Sequence, residues 1–289
     1  MEEKPIVTVI VPSYNHKRFV LECLDSIKSQ TYSNIQWIVV DDGSKDGSQE
    51  LLKRKQGFYG YELFLQENKG LSATLTDMIK NHAQGKYIAC CASDDKWLPH
   101  KLETQVLFME SNPNYAMCFG DSLIMDEKSA IVGRCDNRFF KSGHVFNDIL
   151  LQKFHPPVNC MIRSDVIKKI GYYPEGVIAE DFYMNCRVAQ HYELGYINED
   201  LSVYREAPIE KKRDPYNLLK SHESTINLFS ENIIFPKAFS YQMKRTALGL
   251  AAFKKYKLIA FGYLFRSKIR YTTFLDYLQF LYRFLFFFK

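Results

Sequence analysis

Several common signatures are missing from this 289-residue chain. No strand-like run leads into GxGxxG or GxxxxGK[ST], so neither the dinucleotide fingerprint nor a P-loop is present. The seven cysteines form no CxxC pair and show no Cys/His ligand spacing, which argues against zinc. Their odd number argues against a disulfide scaffold, and reduced thiols fit a cytoplasmic protein. No stretch approaches the roughly 20 uninterrupted apolar residues of a transmembrane helix. Met1 to Pro5 is polar and acidic, unlike a secretory signal. The chain is therefore expected not to cross a membrane.

What is present is unevenly placed. From Lys237 to Lys289 there are 11 basic residues and one acidic residue, Asp276, a local charge of +10. The remainder carries −5, and this 53-residue tail holds 16 of the 43 aromatic residues. Nucleic-acid binding is not expected, because no recognition module appears and the body is acidic.

The body alternates between two periodicities. Ile6 to Val11, Ile35 to Val40, Tyr61 to Leu65 and Tyr87 to Ala92 are apolar, strand-like runs. Helical spacing follows the first three, over Phe19 to Gln30, Ser48 to Lys55 and Ser72 to Asn81. Such alternation predicts an α/β fold with a Rossmann-like, mostly parallel sheet flanked by helices. Ligands of these sheets bind beyond the carboxyl ends of the strands. Polar clusters occur at those ends: Pro12–Asn15, Asp41–Ser44, Asn68–Gly70 and Ser93–Asp95. After Pro113 the pattern is mixed. Strands are expected over Tyr115 to Phe119, Ser129 to Val132, Val158 to Ile162 and Leu201 to Tyr204. A helix capped by Ser164 is expected to close at Gly171, and another to follow Glu180-Asp181.

Asp94-Asp95 is the sharpest local signal. Adjacent carboxylates repel unless a cation lies beside them. A hard divalent ion bridging phosphate oxygens would suit them, although a solvated turn would also accommodate the pair. Asp41-Asp42 is open to the same two readings.

In order along the chain stand Val9-Ile10-Val11-Pro12-Ser13-Tyr14-Asn15, Val40-Asp41-Asp42-Gly43-Ser44, Asn68-Lys69-Gly70-Leu71-Ser72, Gly85-Lys86-Tyr87-Ile88 and Ser93-Asp94-Asp95. Ile170-Gly171-Tyr172-Tyr173, Glu180-Asp181-Phe182 and Tyr204-Arg205 follow. Across residues 5–205 this set resembles the inverting family 2 glycosyltransferases of GT-A fold, of bacterial surface-polysaccharide type. The resemblance implies that Pro12 and Tyr14 line a uracil pocket and that Asp42 accepts from the base. It implies that Asn68 and Gly70 shape the loop beside the nucleotide, with Lys69 near phosphate or in solvent. Asp94 would meet the ribose or metal shell, Asp95 would bind Mn²⁺ or Mg²⁺ in a DxD-type motif, and Asp181 would be the catalytic base. Glu180 is expected to orient the site or touch the acceptor. His155, Lys211 and Arg213 are candidates for acceptor or diphosphate contacts. Two departures stand out: Thr76-Asp77 replaces an Arg-Asn pair common in relatives, and Glu206 stands where many carry histidine.

In the tail, Tyr271, Phe274, Leu275, Leu278, Leu281, Tyr282 and Leu285 form a helical stripe, widened by Tyr277, Phe280, Phe284 and Phe287. With neighbouring basic residues this suits an anionic membrane surface. A helix packed on the body, or on the partner in a homodimer, would use the same stripe.

The expected organisation is a nucleotide-sugar-binding half over 1–115, an acceptor and catalytic-base half over 116–235, and a helical tail over 236–289. The expected activity is metal-dependent transfer of a hexose or N-acetylhexosamine from a UDP-sugar to a polyprenyl-diphosphate-linked glycan. It would serve synthesis of O-antigen, capsule or another surface polysaccharide, at the inner face of the cell membrane. A nucleotidyltransferase of similar fold would want a glycine-rich basic loop after the first strand, where Pro12-Ser13-Tyr14-Asn15 stands. A non-catalytic membrane-associated module would release no UDP.

Overall fold

A computed structural model describes residues 4–206, 214–267 and 271–286. Its strands are β1 (Val7–Ser13), β2 (Ile35–Asp41), β3 (Glu62–Leu65), β4 (Tyr87–Cys90), β5 (Lys96–Trp97), β6 (Tyr115–Met125), β7 (Ile131–Arg134), β8 (Met161–Arg163) and β9 (Glu193–Arg205). They form one sheet in the order β3-β2-β1-β4-β8-β6-β9-β5, with β7 paired to β6. The segment β3-β2-β1-β4 is wholly parallel, as the βα alternation predicts. Beyond β4 the sheet is mixed: β8 runs antiparallel to both β4 and β6, while β6 and β9 are parallel.

The two-residue period of β1 assigns its side chains to two cores. Val7, Val9 and Val11 face α1 (Val20–Lys28), α2 (Ser48–Tyr59) and α4 (Lys101–Ser111). Ile10, with Ile38, Val40 and Ile88 of the neighbouring strands, faces the opposite side. There lie α3 (Leu71–Asp77), α5 (Phe146–Leu150), α6 (Ser164–Ile170) and α7 (Glu180–Ala189). Both faces are thus covered, which explains why the parallel strands are almost continuously apolar. Gly85 lets the chain enter β4 tightly against β1: a Cβ there would lie 2.5 Å from the Thr8 nitrogen.

Several local expectations change. The helix predicted to Asn81 ends as α3 at Asp77 and continues as a π-helical turn, Met78–His82. Ser164 does not cap α6: it lies within the helix and donates its hydroxyl to the Gly85 carbonyl, with Arg163 at the cap position. Glu180 and Asp181 form the first turn of α7 rather than preceding it. β9 is 13 residues long, far more than Leu201 to Tyr204, because its early residues pair with β6 despite a polar sequence.

The tail is a helical layer of α8 (Pro215–Asn227), α9 (Phe235–Ala251), α10 (Lys257–Arg266) and α11 (Phe274–Phe286). The boundary expected at 236 falls inside α9. A small core of Met243, Leu250, Tyr263, Leu264 and fully buried Phe280 joins α9, α10 and α11. Tyr277 and Phe284 pack on it, so the inward face of α11 is the one that widens the predicted stripe. Leu275, Leu278, Leu281, Tyr282 and Leu285, the stripe itself, face outward. The Asp276 carboxylate has little exposure and accepts from Lys244 Nζ at 3.0 Å. Among the described residues, no helix is long and apolar enough to cross a membrane.

Candidate active site

The polar loops converge at the carboxyl ends of β1, β2 and β4, and hydrogen bonds lace them together. Asn15, in the left-handed region at φ 56°, donates its N–H to Ser44 Oγ at 2.8 Å. Its Oδ1 accepts from the Lys45 N–H at 2.8 Å. Tyr14 beside it is 48% exposed, an open ring face at the mouth of the crevice. Pro12, one residue from the end of β1, is half-buried.

The two aspartates after β2 do different work. Asp41 is fully buried; its Oδ1 accepts from the Ser44 N–H at 2.8 Å and Gln49 Nε2 at 3.0 Å. Asp42 holds the next loop: it accepts from Gln66 Nε2 at 2.8 Å, the Lys69 N–H at 3.0 Å and the Gly70 N–H at 2.9 Å. A carboxylate has about four accepting positions, so capacity remains for one further donor. Gly43, at φ 80°, permits this approach, because a Cβ there would lie 2.8 Å from the Asn68 nitrogen. Asn68 is exposed beside it, and Gly70 opens α3 at φ 85°. The Lys69 ammonium pairs with Asp77 at 2.7 Å, which gives one half of the Thr76-Asp77 departure a partner. Thr76 Oγ1 donates to the Tyr173 carbonyl at 3.3 Å and Ser72 Oγ to the Val177 carbonyl at 2.5 Å. The helix after the Asn68–Gly70 loop is thereby tied to the segment leading into α7.

Asp94 and Asp95 follow β4. His16 Nδ1 lies 2.8 Å from Ser93 Oγ and 3.7 Å from Asp94 Oδ1, joining this loop to the one after β1. Asp95 is buried, and its Oδ1 accepts from the Arg205 N–H at 2.7 Å. Burial first, and then the charge of Asp94, push its carboxyl up to about 8 against the opposing pull of Arg205. A buried carboxylate beside a second carboxylate is thus short of positive charge. Hard oxygen donors with that deficit suit a divalent cation. No cluster of three or more His, Cys, Asp or Glu ligands occurs among the described residues. Such an ion would complete its shell with phosphate oxygens and water.

Arg205 clamps this loop. It donates from Nε to the Asp94 carbonyl at 2.8 Å and from Nη1 to the Asp126 carbonyl at 2.9 Å. Its Nη2 pairs with Glu22 at 3.1 Å, and the guanidinium lies 4.3 Å from the Phe19 ring centroid. No role for Arg205 is legible in the sequence, because its partners Asp126, Asp94 and Glu22 lie 79, 111 and 183 residues away.

Asp181 sits exposed in the first turn of α7, where the helix dipole favours a carboxylate. Its Oδ1 accepts from the Phe182 N–H at 2.7 Å. Glu180 is half-buried beside it. Burial raises the pKa of the Tyr204 hydroxyl, and so do the charges of Asp95, Asp94, Glu206 and Asp181. An apolar pocket lies against Asp181, with Cys90 and Tyr173 in its lining.

His155 is placed differently. Its ring meets Phe182 edge-on at 5.0 Å and stacks on His222 of α8 at 5.8 Å, and its Nε2 is buried without a hydrogen-bond partner among the described residues. It stands at the joint between body and tail. Lys211 and Arg213 lie outside the described residues.

Comparison with known proteins agrees with this fold. The family model for glycosyl transferase family 2 matches residues 8–171. The chain is 28% identical over 255 residues to an uncharacterized glycosyltransferase of Methanocaldococcus jannaschii, covering 83% of this chain and 87% of that one. It is 37% identical over 108 residues to a putative teichuronic acid biosynthesis glycosyltransferase of Bacillus subtilis, covering 37% of this chain and 42% of that one. Two solved structures share the fold. Staphylococcus aureus TarS 1–349 in complex with UDP-GlcNAc has a TM-score of 0.61 at 14% identity, over 90% of this chain and 88% of that one. The Pyrobaculum calidifontis mannosyltransferase in complex with GDP-Man and Mn²⁺ has a TM-score of 0.60 at 19% identity, over 99% and 88%. With a GT-A fold and a family match across more than half its length, the chain is a glycosyltransferase and belongs to glycosyl transferase family 2.

Proposed function

We propose that this glycosyltransferase is an inverting, metal-dependent enzyme. It moves a hexose or N-acetylhexosamine from a UDP-sugar to a hydroxyl of a glycan acceptor. The observation that carries this reading is the convergence of the loops bearing Tyr14, Asp42 and Asp94-Asp95 at the carboxyl ends of β1, β2 and β4, with the segment leading to Asp181 tied to the Asn68–Gly70 loop through α3. Tyr14 offers a stacking face for the base, and Asp42, already fixed by its loop, keeps capacity for the base N–H. Asp95, with Asp94, would hold Mn²⁺ or Mg²⁺. When bound, that ion neutralises charge on the departing diphosphate. The acceptor hydroxyl has a pKa far above 7, so attack needs a positioned base, and Asp181 takes the proton. A base on one side of the sugar and the leaving group on the other give in-line displacement and inversion. The UDP-GlcNAc complex of TarS supports a UDP-sugar donor, and the GDP-Man and Mn²⁺ complex of the mannosyltransferase supports a nucleotide-sugar donor with a metal.

The acceptor is a polyprenyl-diphosphate-linked glycan of surface-polysaccharide synthesis, as the teichuronic acid relative suggests. The outward apolar face of α11, in a tail of charge +10, fits an enzyme seated on an anionic membrane at its cytoplasmic face.

The test is a panel of UDP-sugars with a polyprenyl-diphosphate-sugar acceptor, with and without Mn²⁺. Turnover should require the metal and be lost in Asp95→Asn and Asp181→Asn. Metal-dependent UDP release that survives both substitutions would overturn the assignment.

A further inference from the structure

The pocket beside Asp181 has a chemistry that the transfer reaction alone does not require. Its floor is the sheet: Ile88 of β4 and Ile162 of β8 are direct cross-strand partners, and both line it. Its wall is α7, where Asp181, Met184 and Asn185 are spaced i, i+3 and i+4 and therefore share one face. Val158, 41% exposed, also lines it.

Two polar groups in this apolar lining lack counterparts. Asn185 is only 4% exposed, and its one hydrogen bond is weak, Cys160 Sγ donating to Oδ1 at 3.7 Å. Its amide N–H groups have no acceptor among the described residues. An amide donor in an apolar lining is available to a ligand that supplies an acceptor. Tyr173 also lines the pocket, and its hydroxyl has no hydrogen-bond partner among the described residues. Burial raises its pKa well above the ordinary value, so it remains a donor. A bare hydroxyl would leave the apolar floor unused. A carboxylate would face Asp181. A carbonyl carrying a methyl group satisfies both donors and floor.

We propose that this pocket receives the acetamido group of an N-acetylated sugar, its carbonyl oxygen accepting from Asn185 and its methyl resting on Ile88, Ile162 and Met184. The assignment deepens the sugar-transfer reading and rests on it. The acetamido group belongs either to the donor sugar or to the acceptor residue presented to Asp181, and the experiment separates the two.

In the donor arm, calorimetry compares UDP, UDP-glucose and UDP-GlcNAc with wild type, Asn185→Leu and Val158→Trp. In the acceptor arm, saturation-transfer NMR compares methyl N-acetylglucosaminide with methyl glucoside, with and without UDP. One arm should show a preference of about 10-fold or more for the acetamido form, the range expected for a filled apolar pocket with a paired polar group. Both substitutions should reduce it to about 2-fold while UDP affinity persists. Val158→Trp, at an exposed position, blocks the pocket without disturbing the core should Asn185→Leu fold poorly. No preference in either arm, or one that survives both substitutions, overturns the assignment. Failure of UDP itself to bind would instead overturn the UDP-donor reading, and the glycoside arm without UDP would still decide the pocket.

Discussion

The body and the tail solve the burial problem in opposite ways. In the body, both sheet faces are covered, and buried polar groups such as Arg205, Asp42 and Asn159 are held in hydrogen-bond networks. In the tail, a core of few residues is closed by Phe280, and large apolar side chains remain outside, including Leu258 at 87% and Phe265 at 78% exposure. A fixed geometry for charge is needed where bonds are made and broken. A region that needs only to sit at an interface can keep its apolar surface facing out. The two share a joint at His155 and His222.

The largest effect should come from the body. Asp181→Asn is expected to reduce turnover about 10²–10⁴-fold, the usual contribution of a general base, with UDP affinity unchanged. Steady-state kinetics beside calorimetry would read this, and a weakened UDP affinity would mean that Asp181 also binds donor.

Next, Phe280→Ala removes the keystone of the tail core. Truncating a buried aromatic costs about 3–5 kcal/mol, a large loss for so small a cluster. Limited proteolysis should show cleavage within 235–286, while the body still binds UDP. Equal loss of protection in the body would show that the two regions unfold together.

The joint should be pH-sensitive. Burial, then His222 and Arg245, push His155 down to about 3, and burial, then Arg245, pushes His222 down to about 4. Both lie below the ordinary 6.5, so the folded chain holds fewer protons than the unfolded one between those values. Stability is full above about 6.5 and is lost as pH falls towards 4 and then 3. Thermal melts at pH 7 and pH 5 should differ, and the gap should shrink in His155→Gln and His222→Gln.

The smallest change in stability should accompany a complete change in location. Leu278→Ser with Leu281→Ser touches exposed positions and should alter stability by only about 0.5 kcal/mol each. Sedimentation with vesicles of anionic phospholipid should nevertheless fall sharply. Unchanged sedimentation would turn the exposed face over to a protein partner.

Where the pattern was local, the sequence was legible. β1, β2, β4 and α1 announce themselves through apolar runs and helical spacing, and the loop clusters at the strand ends do converge. Long-range devices were not visible. Arg205 joins Glu22, Asp94 and Asp126, residues from three separate segments. Which side of the tail stripe turns inward was hidden for a related reason: the stripe shows where apolar residues lie, but only packing against α9 and α10 decides it. The polar first half of β9 is held by its pairing with β6, which no local propensity expresses. Asn185 could have been noticed, since it lies one helical turn beyond Asp181, but an asparagine on a helix carries no signal until its surroundings are apolar.

The lacing of α3 to the segment before α7, through Ser72 to Val177 and Thr76 to Tyr173, bears on how this enzyme can be re-engineered. The strut sets the spacing between the loop that Asp42 holds and the turn that carries Asp181. Loops exchanged with relatives to change donor preference will keep that spacing only if residues 68–78 and 173–181 are transplanted as a pair. Swapping either alone risks losing these two hydroxyl-to-carbonyl bonds and shifting Asp181 relative to the loop that Asp42 holds.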